Sequence, residues 1–166
     1  MRLAASALLV VVLMLPACAA TDTPSSSPGA STPTGMQAIA EGYLDLVEPF
    51  NAATCRFNVV LSQTAPALAE LKLASADYAA TVATLFGGLQ AITWPAENGI
   101  SQDADDLISA LVATATHAHA MAEADSMSSF IAADELLIGT NGLSAAAATQ
   151  LRKDLGLGSG ADPCTT

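Results

Sequence analysis

Apolar residues recur along most of this chain at alternating spacings of three and four, the pattern of helices that each bury one stripe. The first seam is Ile39, Tyr43, Leu46, Phe50, Ala53, Phe57 and Val60, with Glu41, Asp45, Glu48, Asn51 and Asn58 falling away from it. Pro49 lies inside this segment and removes one backbone donor. The unbroken seam therefore predicts one helix kinked at Pro49 in preference to two. The second seam is Leu68, Leu71, Ser75, Tyr78, Val82, Leu85, Leu89 and Ile92. Pro66 suits its first turn, Gly87-Gly88 weakens its last turns, and Thr93-Trp94-Pro95 stops it, since a residue before proline avoids helical geometry. Asn98-Gly99 completes the turn.

A third helix is expected from Ser101, read as the N-cap, with Asp103, Asp105 and Asp106 near the positive end of the dipole. Its seam is Ile100, Ala104, Leu107, Leu111, Thr114, Ala118 and Met121. The fourth segment, from about Met127 to Leu155, carries Phe130, Leu137, Ala148, Leu151 and Leu155. Gly139 and Asn141-Gly142 interrupt it, leaving open a split into two shorter helices. Four segments of about twenty-five residues with short connections predict an all-α, up-down-up-down four-helix bundle.

The residues before Met36 follow another pattern. Arg2 is followed by an uncharged apolar run from Leu3 to Leu15, shorter than the roughly 20 residues a bilayer span needs, which reads as an export signal. Ala19 to Gly35 holds Asp22 as its single charge, with Pro24, Pro28 and Pro33 among Ser and Thr. Such a segment buries too little apolar surface to fold and reads as a tether. The expected division is residues 1–17 as signal peptide, 18–35 as lipid-bearing Cys18 plus tether, and 36–166 as the bundle, about 130 residues and one core.

Charge narrows the partners. The chain has 16 acidic residues against 5 Lys and Arg, and loss of Arg2 with the signal takes the formal charge from -11 to -12. That excess opposes phosphate backbones and anionic lipid surfaces alike, so nucleic acid is not expected as a partner and membrane attachment requires a covalent anchor.

Leu15-Pro16-Ala17-Cys18 resembles a bacterial lipoprotein signal, in which Leu15, Ala17 and Cys18 occupy positions -3, -1 and +1. Pro16 stands where Ala or Ser is commoner. The resemblance implies diacylglycerol on the Cys18 sulfur, a palmitate-bearing anchor, and a home on the extracytoplasmic face of the cell membrane. Ala17-Cys18-Ala19 also fits an ordinary secretory cleavage site, the alternative being a secreted protein. Tyr43, Pro49 and Asn51, Trp94-Pro95, and Leu151-Arg152-Lys153-Asp154-Leu155-Gly156-Leu157 are similar to a diffuse group of small helical lipoproteins from high-GC (actinobacterial) bacteria. That likeness implies the bundle and the envelope address, and no active site.

Three cysteines are an odd number. With Cys18 taken by lipid, Cys55 and Cys164 remain as a pair in an oxidising compartment. Cys55 lies two positions from Ala53 and Phe57, on the outer face, and the residues after Gly156-Leu157-Gly158 reach roughly 30 Å if extended, enough for the tail to fold back to it.

Candidate chemistry is sparse. His117 and Met121 share a helix face and form half of a copper-like site, while His119 points about 200 degrees away from His117. Asp103, Asp105 and Asp106 lack the loop and closing Glu of a calcium site. Gly156-Leu157-Gly158-Ser159-Gly160 has neither the preceding strand nor the following helix of a phosphate loop. With no Gly-x-Ser-x-Gly elbow and two His, an enzyme is not expected, nor is a cofactor. Tyr43, Tyr78 and Trp94 are the candidates for an inter-helix pocket that takes a small apolar ligand. The uncharged run from Tyr78 to Ala96 has the length of a membrane span, but its polar residues and narrow apolar seam argue for a bundle helix. The expected function is a non-enzymatic interaction or accessory module of the cell envelope with an envelope protein as partner, the alternative being a binding protein for a metal or small apolar ligand.

Overall fold

A computed structural model describes residues 35–158 and Cys164. Four helices run in order, α1 (Met36–Leu61), α2 (Leu68–Ala91), α3 (Ile100–Glu123) and α4 (Met127–Asp154), with one 3-10 turn at Glu97–Gly99. Among the described residues there is no strand. Sequential helices pack side by side, α1 on α2, α2 on α3 and α3 on α4, while α1 and α4 make little backbone contact. The signal peptide, Cys18 and most of the tether lie outside the described residues.

α1 is a single helix through Pro49. Pro49 is exposed, so the carbonyl that loses its helical donor lies on the wet side. The buried face of α1 is broader than its seam: Tyr43, Phe50, Ala53 and Phe57 are buried, and so are Ala40, Val47, Asn51 and Thr54. Asn51, expected on the polar side, is therefore a core-facing residue. Ile39, Leu46 and Val60 are half-buried instead.

The seam of α2 is buried from Leu71 to Leu89, with Leu68 and Ile92 half-buried at its ends. Ser75 tolerates complete burial because its hydroxyl donates to the Leu71 carbonyl at 2.8 Å. Pro66 lies just before Ala67, the N-cap, and not in the first turn. Gly87-Gly88 causes no break, and Gly88 has a packing reason: a Cβ there would collide with the methyls of Leu46 on α1. Trp94 caps the end of α2, its indole N–H donating to the Leu89 carbonyl at 2.9 Å.

α3 begins at Ile100, one residue before the expected cap. Asn98 and Gly99 both take positive φ, at 57° and 80°, and Gly99 in the left-handed region occupies the N-cap that Ser101 was expected to fill. A glycine there carries no Cβ penalty. The α3 seam is buried at all seven expected positions.

α4 is one continuous helix and is not split. Gly139 and Gly142 sit in open space on its exposed side, where each costs about 1 kcal/mol of helix propensity but disturbs no contact. Packing of Phe130, Ala133, Leu137, Ser144, Ala148 and Leu151 outweighs that cost. The helix opens with a reciprocal cap, Ser126 Oγ accepting from Ser129 N while Ser129 Oγ accepts from Ser126 N. It closes with Gly156 at φ 71°, Leu157 N donating to Arg152 O at 2.8 Å and Gly156 N to Lys153 O at 3.1 Å. Leu157 packs on the core beyond this stop.

Candidate functional site

The residues with unusual chemistry gather where α1 faces the end of α4, two helices that make little backbone contact. Arg152 occupies the last turn of α4 and is only 4% exposed. Its Nε and Nη2 both donate to the Gly158 carbonyl, at 3.2 and 3.0 Å. The guanidinium thus anchors the chain just after the helix stop, in the paired geometry that suits arginine. Farther on, Cys164 is joined to Cys55 of α1, with Cα atoms 5.4 Å apart and a separation of 109 positions along the chain. The expected tie between tail and first helix is present, with Gly158 and Cys164 as its two described anchor points.

Tyr43 faces this region from α1. It is 0% exposed, and burial pushes its hydroxyl up to about 12, opposed by the positive charge of Arg152 nearby. Arg152 is near enough to influence Tyr43 electrostatically, and among the described residues Tyr43 Oη has no hydrogen-bond partner. Arginine has no acceptor, so it cannot take the phenolic hydrogen of Tyr43. Tyr78, on α2, lies parallel to Phe57 at 4.7 Å between ring centroids and tilted against Phe50 at 6.0 Å. Burial raises its hydroxyl to about 12 as well, opposed by the Thr54 side chain.

Between these rings lies a cavity of about 20 Å³, lined from all four helices, with Tyr43 and Tyr78 joined by Leu111, Thr114, Asn141 and Ser144. Thr114 Oγ1 and Ser144 Oγ are 3.1 Å apart across the α3–α4 contact. Of the three aromatics expected to form an inter-helix pocket, Tyr43 and Tyr78 meet there, and Trp94 caps α2 elsewhere. The volume accommodates about one water and no organic ligand in this state.

The remaining candidates do not converge. Met121 is 0% exposed and His117 half-buried, so the thioether is packed in the core and not presented beside the imidazole at the surface. His119 faces outward and pairs with Glu123 at 3.3 Å. Among the described residues no group of three or more His, Cys, Asp or Glu is placed to hold a metal ion. Asp103 is in the first turn of α3, and the Asp154 carboxylate beside it, with partial burial and Asp106, raises its pKa. No described helix is long and apolar enough to cross a membrane, and the apolar run after Tyr78 packs as the second half of α2.

Arg152, Asn141 and Ser144 escaped the sequence reading. For Asn141 and Ser144 the signal was position: 137, 141, 144, 148 and 151 continue the three-four alternation of α4, with polar residues at 141 and 144 where apolar ones are expected, while Arg152 lies off that alternation. Compared with family models, curated proteins and solved structures, the chain matches none.

Proposed function

We propose that this chain is a lipid-anchored helical-bundle lipoprotein of the extracytoplasmic face, serving as a non-enzymatic interaction or accessory module of the cell envelope. The cysteine arithmetic carries the reading. Cys55 and Cys164 are paired, which leaves Cys18 as the single remaining thiol, at the end of an apolar run and at the position the lipobox-like pattern reserves for lipid. A disulfide closing so long a loop also fits a protein that matures in an oxidising compartment. The tether then sets the bundle off the membrane, and the acidic surface keeps it from lying on anionic lipid.

Cross-linking in native envelopes followed by mass spectrometry tests the proposal, with Cys18→Ser as the control. The expected result is a reproducible set of envelope neighbours, lost together with membrane fractionation in C18S. Fractionation unaffected by C18S would remove the anchor, and the absence of any reproducible neighbour would remove the interaction role.

The small-ligand reading retains one observation, the meeting of Tyr43 and Tyr78 at the cavity. For that cavity to take an apolar ligand the bundle must open. A thermal-shift panel with lipids, copper and zinc on the oxidised protein measures this, and absence of any shift would dispose of it.

A further inference from the structure

We infer that the outward face of α4 pairs with the same face of a second copy of this chain, antiparallel, with Glu135 of each copy set against Lys153 of the other. The inference rests on α4 alone and is independent of the lipid anchor.

The helices share the exposed apolar surface unevenly. Five of the eight large apolar side chains exposed among the described residues lie on α4, namely Met127, Ile131, Leu136, Ile138 and Leu143, against one on each other helix. Leu136 and Leu143 are 58% and 64% exposed. α4 comes last and packs on α3 with little backbone contact to α1, so its far side has no neighbour in the bundle. The uncharged half of α2 that follows Asp77 differs, since it exposes no large apolar side chain. A single exposed Leu or Ile is ordinary on a protein surface, whereas several on one helix mark an interaction surface.

Charge identifies the occupant. From Leu136 to Gln150 the helix carries no charged residue, in a chain with 16 acidic residues against 5 Lys and Arg. Two copies of so acidic a chain repel one another, least where their surfaces are uncharged. Glu135 bounds this stretch at one end and Lys153 at the other, both exposed. They are eighteen positions apart, five full helical turns, and so stand on the same side of α4. Neither takes part in an ion pair among the described residues. An antiparallel pair lays each acidic end on a basic end, twice over by two-fold symmetry. A parallel pair would set Glu135 against Glu135 and Lys153 against Lys153, so the charges also fix the orientation.

The register follows from the ion pairs. With Glu135 opposite Lys153, Gly142 faces Ala146 of the second copy and the two Leu143 side chains meet beside the two-fold axis. Gly139 and Gly142 have nothing within 4 Å of where a Cβ would stand, unlike Gly88, so the single bundle gives them no packing role. In the pair they admit a close approach of the two backbones. The paired length is about 27 Å. One helix pair of that length falls below the roughly 1,200 Å² of a standard interface, so the dimer is weak, with a dissociation constant on the order of 10 μM to 1 mM.

Sedimentation equilibrium of the oxidised full-length Cys18→Ser chain tests the pairing, because neither acyl chains nor a Cys18 disulfide can then join two copies. The expected result is a monomer–dimer equilibrium in that range, weakened about tenfold or more by Leu143→Asp and about tenfold by either Glu135→Lys or Lys153→Glu. Mixing the Glu135→Lys chain with the Lys153→Glu chain restores both ion pairs, so the mixture should dimerise as the unaltered face does while neither variant does so alone. A chain that stays monomeric at about 1 mM would overturn the pairing and leave the face to another occupant, acyl chains or a different envelope protein. Dimers indifferent to these substitutions, including any held through the N-terminal apolar run, would overturn it as well, as would a mixture no stronger than its components. The concentration series on the unaltered face stands even if a variant misfolds.

Discussion

Between α3 and α4 the contact is a continuous meeting of seams, Leu107, Leu111, Ala118 and Met121 against Phe130, Leu137, Ala148 and Leu151, with one hydroxyl pair at its middle. Between α1 and α4 there is little backbone contact. What binds that side is a buried arginine gripping the Gly158 carbonyl and a disulfide from Cys164 to Cys55. The first side depends on apolar area, which forms as soon as the helices meet. The second depends on charge-assisted hydrogen bonds and covalent closure, which require the end of the chain. A bundle with little aromatic content, 4% of the chain, thus makes up for modest side-chain bulk by tying its last residues to its first helix.

Alkaline pH is expected to break the α1 attachment with the largest effect. Tyr43 and Tyr78 have folded pKa values raised to about 12 against an ordinary 10. Between these values the unfolded chain releases the phenolic protons and the native state does not, so stability is intact below pH 10 and falls as pH rises toward 12. The loss is about 2 to 3 kcal/mol for each tyrosine. These are the two tyrosines of the chain, so tyrosinate absorbance should rise together with loss of helical circular dichroism and not before it.

On the apolar side, Leu111→Ala removes a 2%-exposed side chain and should cost about 2 to 5 kcal/mol by denaturant unfolding. Replacing Cys55 and Cys164 together by Ser should cost slightly less, about 2 to 4 kcal/mol, short of the roughly 5 that pure chain entropy allows for so long a loop. Hydrogen exchange sharpens the contrast: in the Cys-free variant α1 should lose protection first, while α3 and α4 keep theirs. Equal loss across all four helices would mean that the strap stabilises the bundle as a whole. The smallest effect is expected at the foot of the α3–α4 contact. There Asp154→Asn relieves the carboxylate that raises the Asp103 pKa and removes a negative charge from a helix C-terminus, for a gain of a few tenths of a kcal/mol in thermal unfolding near neutral pH.

Sequence periodicity located the apolar side well and the strapped side poorly, for physical reasons. On α2 and α3 large apolar residues fill almost every core position, so three-four spacing alone places the buried faces. On α4 the residues near the middle of the core-facing side are the half-buried Thr140 and Asn141 and the buried Ser144, and the glycines nearby mimic a break, so the sequence leaves open whether the helix is split until its packing on α3 is known. Asn51 was misplaced and the burial of Arg152 went unread because a polar residue in a core position announces itself only through its neighbours. The pairing of Cys55 with Cys164 was legible because it rested on counting, and the expected anchor at Cys18 shares that basis. The cavity was half-legible: Tyr43 and Tyr78 were expected to line one, but the hydroxyl pair opposite them belongs to helices whose register no single segment reveals.

The central claim is a division of labour among three cysteines, one for lipid and two for the strap. Intact mass and peptide mapping of the native protein, without reducing agent, test it most directly. The account predicts a mature chain beginning at Cys18, heavier by a diacylglyceryl group and acyl chains, with Cys55 and Cys164 recovered as one linked peptide. A chain that begins after Cys18 without lipid, or one in which Cys18 is linked to either of the other two, would contradict it.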